Sequence, residues 1–323
     1  MPTIRMFFIQ STNCICGSVH PSSCWKHHSM TPPPPAAVRW GQARRLAFID
    51  FRLQYEGRIN RKDLIDFFGI SVPQASTDLA DYGVSAPHNM RYDPRVRTYL
   101  ATPDFAPLYG RSTAVQYLFE LAGIAREAIS ADESFIGYTP PTGVVSTPSR
   151  LIQAAEVARW VQSMRDRLAM RGTYQSMDEQ GAREVVVSPH ALGFDGLRWH
   201  VRAYCHSRTM FRDFAIGRFI VEGAVEPPTP IDPSMDLGWY TEVAISLVPH
   251  PGLSSAQRSV VMRDYGMVDG RHTLRCRKAM LFYTLRHLNL QDLTVSTQPA
   301  QQHVIVENAS DVARWMDEDR RGA

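Results

Sequence analysis

The apolar residues of this chain change period near Leu168. Before that point they recur mostly every three to four positions, as on helices; after it, runs that alternate every second position appear, as on strands. Such a chain is neither one helical bundle nor one β-sandwich. It must combine helices and strands, an α+β class. Its 323 residues leave room for two or three domains, and 44% hydrophobic with 21% charged residues describes a folded protein.

The helical part carries clear punctuation. From Arg39 to Tyr55, Trp40, Ala43, Ala47, Phe48, Phe51 and Tyr55 keep helical spacing, and Gly57 within "EGRIN" ends that helix. "RKDLIDFFGIS" predicts a short helix stopped by Gly69. "SVPQASTDLADYG" predicts the next, Val72–Tyr82, with Ser71 as N-cap, Pro73 in the first turn, and Val72, Ala75, Leu79 and Tyr82 as one buried stripe. Two such helices joined by Gly-Ile-Ser form a helix-turn-helix. "NMRYDPRVRTYLAT" alternates around a tight-turn signal and predicts a two-stranded hairpin, which makes the unit winged. Gln74, Ser76 and Thr77 lie outside the stripe near the helix start, where a winged helix meets base edges. Arg58, Arg61, Arg91, Arg95 and Arg97 flank them as phosphate contacts. Between Arg39 and Tyr99 ten Lys/Arg face seven Asp/Glu, so these arginines matter by position rather than number.

A further helix is expected over Thr113–Ser130, a Pro/Gly/Thr-rich loop over Tyr138–Ser149, and a long helix over Leu151–Leu168. The runs "MRGTYQSM", "REVVVSPHAL", "LRWHVRAYCHS" and "MFRDFAIGRFIV" then predict a small curled sheet or barrel. In the third run Trp199, Val201, Ala203 and Cys205 take the core face; His200, Arg202, Tyr204 and His206 take the other. Tyr174, Ser176, Ser188 and His190 lie on neighbouring strands. With "FRDFAIGRF" read as one strand, Arg212, Phe214 and Arg218 share a parity and join the same polar face. Guanidinium forks and imidazoles among aromatic rings suit a phosphate beside a stacked base. The plainer alternative is a polar sheet surface, with Arg202 paired to Asp213 and His190 satisfied in a turn. Beyond the proline-rich link Val225–Ser234, "WYTEVAISLVPH", "LSSAQRSVVMRDYG", "RHTLRCR" and "KAMLFYTLRHLNL" predict a small α+β domain. Its Leu281, Phe282 and Leu285 serve either a dimer seam or its own core.

Several classes fall away. The chain has no nucleophile elbow, no HExxH and no phosphate-cradling GxxxxGK[ST], and the trio Ser188, His190 and Asp213 has no supporting spacing, so no enzyme is expected. No apolar run approaches the roughly 18 residues of a membrane span. Five cysteines without a framework indicate a reducing compartment, hence a cytoplasmic protein. Cys14, Cys16, Cys24, His27 and His28 match no finger spacing, so neither metal nor cofactor is expected. Residues 1–38 read as a disordered tail, with Met30 a natural start and "TPPPP" a stiff spacer. A net charge of only +3 leaves any nucleic-acid site to local clustering.

"RWHVRAYC" followed by "FRDFAIGRF" resembles the WYL domain, an Sm/SH3-like barrel; Trp199-His200-Val201 stands where that family has Trp-Tyr-Leu. "GRINRKDLIDFFGIS", "SVPQASTDLADY", "RYDP" and "SPHALGFDGLRWHVRAYC" together resemble the repressors that accompany CBASS and BREX anti-phage operons. The resemblance implies a homodimeric repressor that binds an inverted-repeat operator in double-stranded DNA and is released by a nucleic-acid or nucleotide effector at the WYL domain. It places ligand-facing positions at His200, Arg202, Tyr204, Arg212 and Arg218, and more loosely at Tyr174, Ser176, Ser188 and His190, with Tyr204 and Phe214 available for base stacking. The expected order is a tail (1–38), a winged helix-turn-helix (39–110), a helical linker (111–150), the WYL domain (151–228) and a C-terminal dimerisation domain (229–323). The alternative is a single-stranded nucleic-acid or nucleotide binding protein whose helix-turn-helix is a protein-interaction module.

Overall fold

The computed structural model describes residues 40–109, 113–148, 152–177 and 181–321. The chain divides into two compact units, one ending at Val145 and the other beginning at Ser146. The expectations for residues 1–38, including the tail and its cysteines, lie outside the described residues.

The first unit runs α1 (Trp40–Glu56), β1 (Arg58–Ile59), α2 (Arg61–Phe68), α3 (Val72–Ser85), β2 (Met90–Asp93), β3 (Thr98–Ala101) and α4 (Ala114–Ala125). Local chemistry sets these boundaries. The Asn60 side chain accepts from the backbone N–H groups of Lys62 and Asp63, and the Asp63 carboxylate accepts from the Asn60 N–H at 2.7 Å, a reciprocal cap that starts α2. Gly69, at φ 63°, stops it in the left-handed conformation. Ser71 then caps α3 by accepting from the Gln74 N–H at 3.3 Å. Phe48, Ile49 and Leu53 of α1 close over Leu64, Ala75, Leu79 and Tyr82 to form one core.

Three details depart from expectation. "EGRIN" is more than a break: Arg58 and Ile59 pair with Leu100 and Tyr99, giving the wing a third strand in the order β1-β3-β2. The fully buried Ile59 side chain gives that strand its anchor. Val72 is 54% exposed, so the stripe begins at Ala75; the first turn of α3 overhangs the core. The helix also continues past Tyr82 to Ser85. A buried polar centre ties the unit together. Asp50 accepts from the Tyr82 hydroxyl and from the N–H groups of Leu108 and Tyr109. Asn89 donates to the Tyr82 oxygen at 2.9 Å and to the Ala106 carbonyl at 2.6 Å. Burial, with Asp50 beside it, pushes the Tyr82 pKa well above that of a free phenol, so the hydroxyl stays a donor.

The second unit begins with α5 (Ala154–Asp166), β4 (Ala169–Gln175), β5 (Ala182–Phe194), β6 (Trp199–Cys205), β7 (Met210–Ala215) and β8 (Phe219–Val225). These strands form one sheet in the order β7-β6-β5-β4-β8. The run "MFRDFAIGRFIV" is therefore two strands, not one. A 3-10 turn at Ile216–Arg218 separates them, and they lie at opposite edges of the strand order. Only a curled sheet brings its edges within reach of so short a turn. Gly172 permits the curl: a Cβ there would sit 2.3 Å from the Ile220 carbonyl oxygen, beside the bulge between β4 and β8. Trp160 of α5, Met170, Val187, Val201, Ala203, Phe214 and Phe219 fill the interior.

The rest is α6 (Leu237–Tyr240), β9 (Glu242–Pro249), α7 (Ser255–Asp264), β10 (His272–Arg277), α8 (Leu281–His287), β11 (Val304–Val306) and α9 (Ala309–Arg321), with strand order β10-β9-β11. Leu281 and Leu285 belong to this core, whereas Phe282 is 42% exposed.

Candidate nucleic-acid interface and ligand face

The first turn of α3 faces outward. Ser71 and Thr77 are exposed, and Gln74 and Ser76 are half-buried. Their polar groups are already partly engaged. Gln74 Nε2 donates to Asp78 Oδ1 at 3.1 Å, and Arg45 holds the same buried carboxylate through Nε at 2.6 Å and Nη2 at 3.1 Å. The Ser76 hydroxyl donates to the Val72 carbonyl at 3.0 Å and that of Thr77 to the Pro73 carbonyl at 3.1 Å. Arg61 of α2 reaches Ser76 Oγ at 3.3 Å. Arg58 on β1, Arg91 on β2, and Arg95 and Arg97 in the turn of the wing are all exposed. Sequence reasoning missed Arg45 and Asp78. The available signal was an acid between the buried Ala75 and Leu79, which a core-facing position tolerates only with a cationic partner.

The residues assigned to one polar face of the sheet lie on two. Directly opposed residues of an antiparallel pair share a face. The register pairs Arg202 with Asp213 and Tyr204 with Phe211, but Val201 with Phe214 and Ala203 with Arg212. Phe214 and Arg212 therefore share the side of Val201 and Ala203, one residue off the expected parity. Phe214 is buried in the core, edge-on to Tyr174 at 5.0 Å. Arg218 sits in the 3-10 turn rather than on a strand. Trp199 was expected in the core but is 45% exposed, its ring tilted against that of Phe194.

On this face His200 and Arg202 are covered by the chain's own C-terminal elements, while the half-buried Tyr204 lies edge-on to His206 and Phe211. Arg202, 4% exposed, makes a forked pair with Asp236 at 2.8 and 3.0 Å, and also reaches Asp319 at 3.3 Å and Asp213 at 3.4 Å. Asp236 accepts as well from His190 Nε2 at 2.8 Å. Burial alone would raise the Asp236 pKa; the His190 and Arg202 hydrogen bonds outweigh it and hold it down at about 2. Burial likewise works against the charge of Arg202, and the three carboxylates overcome it, raising its pKa above that of a free guanidinium. Burial holds Asp213 and Asp319 above the ordinary carboxylate range. His200 Nε2 donates to Asp195 at 2.9 Å and lies 4.7 Å from the ring of Tyr283, whose hydroxyl donates to Asp213 at 3.2 Å. Ser188 meets His206 at 2.8 Å. Sequence reasoning missed Asp236 and Asp319, whose positions more than thirty residues downstream carry no local periodicity.

Cavities border this sheet at several places among the described residues. One of about 180 Å³ lies at the barrel end and gathers Tyr174, Ser176, Arg212 and Phe214 with Arg183 and Arg208, two cations the sequence reading passed over. One of about 330 Å³ lies between β7, α8 and α9, with Arg212, Lys278 and Arg320 beside Phe282 and Tyr283. One of about 560 Å³ joins Ser188 and His190 to Phe211, Tyr240 and the proline-rich link.

Comparison with known proteins matches the same three regions. The BrxR transcriptional regulator winged helix-turn-helix domain matches residues 41–123, the WYL domain residues 157–221, and the BrxR transcriptional regulator C-terminal dimerization domain residues 242–312. The DNA-binding transcriptional repressor CapW of Stenotrophomonas maltophilia is 63% identical over 285 residues, covering 88% of this chain and 95% of that protein. Proteins of the same description from Escherichia coli (strain KTE188) and Pseudomonas aeruginosa are 40% and 39% identical over 275 residues, each covering 85% of this chain and 92% of its own length.

Proposed function

This chain belongs to the CapW family of DNA-binding transcriptional repressors, and we propose that it represses an anti-phage defence operon by binding an inverted-repeat operator as a homodimer. The observation that carries the reading is the outward first turn of α3, flanked by Arg61 and the exposed arginines of the wing. Base edges meet Gln74, Ser76 and Thr77, while Arg58, Arg91, Arg95 and Arg97 hold phosphates. Ser71 sets the helix start. The matched dimerization domain supports two-fold pairing, which doubles the contacts and raises affinity through effective concentration.

Release comes from a nucleic-acid or nucleotide effector at the WYL domain. The barrel-end cavity supports this, since it offers Arg183, Arg208 and Arg212 beside the Tyr174 ring. A ligand acts only by preferring the conformation that binds operator poorly. The test is a nuclease footprint on DNA upstream of the protein's own gene, repeated with short single-stranded oligonucleotides. A two-fold-symmetric footprint that fades with oligonucleotide supports the reading. Oligonucleotide binding without any footprint favours a single-strand binding protein instead.

A further inference from the structure

We propose that Gln74 reads adenine in each half-site, because Arg45 and Asp78 hold its amide in one orientation. The inference rests on α3 being the DNA-reading helix and adds which base it reads. Asp78 is buried and gripped by Arg45 through both of its oxygens. Gln74 lies 3.1 Å from that carboxylate. A carboxylate only accepts, so the NH2 end of the amide must face it. The carbonyl oxygen is thereby turned away from Asp78, and one N–H remains beside it.

An acceptor next to a donor complements the N6 amino group and N7 of adenine in the major groove. Guanine presents two acceptors, O6 and N7, and its O6 would confront the Gln74 oxygen. The side chains that read guanine best are absent from the helix, since Val72–Ser85 contains neither Lys nor Arg. Thr77 reinforces the bias one turn on. Its hydroxyl is committed to the Pro73 carbonyl, which leaves its methyl as the unengaged group, and a methyl fits the C5-methyl of thymine. A reorienting glutamine would accept either base; Arg45 removes that freedom through Asp78, 33 residues downstream of it.

The experiment is selection of bound sequences from random duplex DNA with the full-length protein, run in parallel for Gln74→Ala and Gln74→Lys. The expected result is one A·T position per half-site, preferred over G·C by roughly 5- to 150-fold. Gln74→Ala should flatten that position alone, and an adenine analogue lacking N7 should weaken binding there. Gln74→Lys, which can only donate, should turn the preference to guanine. Thermal unfolding at the wild-type temperature confirms that each variant is folded. A G·C pair at the position that Gln74→Ala flattens overturns the inference and leaves α3 as the reader. Equal losses on operator and random DNA overturn both.

Discussion

Asp236 accepts from two side chains at once, His190 at 2.8 Å and Arg202 through both oxygens. Removing one member of such a buried set strands the other, at a cost of about 3–5 kcal/mol. Asp236→Ala is accordingly expected to lower the urea midpoint of the second unit strongly. The sign of the pH dependence follows from the depressed pKa. The Asp236 contribution, about 2 kcal/mol, is fully present above pH 4 and is lost as pH falls toward 2. The stability gap between wild type and Asp236→Asn should therefore narrow on acidification; a gap that is constant from pH 7 to pH 3 contradicts the pairing. Asp213 and Asp319 act in the opposite sense. Their raised pKa values mean a contribution present at low pH and lost as pH rises through the folded values. Arg202→Ala is consequently a poor probe of ligand binding, since it leaves three carboxylates without their cation. Arg208→Ala and Arg212→Ala, at the exposed barrel end, are expected to keep operator binding and weaken the response to oligonucleotide, measured as loss of competition in the footprint.

At the scale of elements, the wing makes the simplest prediction. Arg91, Arg95 and Arg97 are exposed on one hairpin. Replacing all three with alanine should reduce the salt slope of log K by about 0.9 for each phosphate that is no longer neutralised. An unchanged slope removes the wing from the interface. The α2 cap is the second test: Asn60→Ala should cost about 1 kcal/mol of stability in the first unit, read by thermal unfolding. Elements bounded by capping chemistry were legible in the sequence. Gly69, Ser71 and the turn at Asp93–Arg95 each act on their nearest neighbours, so their meaning is local. The strand face was less legible. Alternation fixes which residues share a face within one strand, but the face across strands depends on register, and Arg212 and Phe214 fell on the wrong side by one residue. For Arg202 the plainer alternative foresaw the pair with Asp213, present at 3.4 Å, but not its main partner, which lies 34 residues away.

On the scale of the whole molecule, light scattering at micromolar concentration is expected to give a dimer, and the exposed Phe282 of α8 is the residue at which to test whether that helix forms the seam. Phe282→Glu should shift the equilibrium toward monomer while leaving the Leu281 and Leu285 core intact; no shift places the seam elsewhere in the C-terminal domain. The change of period near Leu168 did mark where the five-stranded sheet begins, at β4, although both units mix helices with strands. It did not announce that the first and last strands of the sheet would be tethered by Ile216–Arg218. That tether has a mechanical meaning. From Ala215 to Phe219 the backbone can stretch to roughly 14 Å, about three strand spacings. However the protein breathes, the gap between β7 and β8 at that end stays below this reach. At full stretch that gap admits two extended guest chains side by side at most.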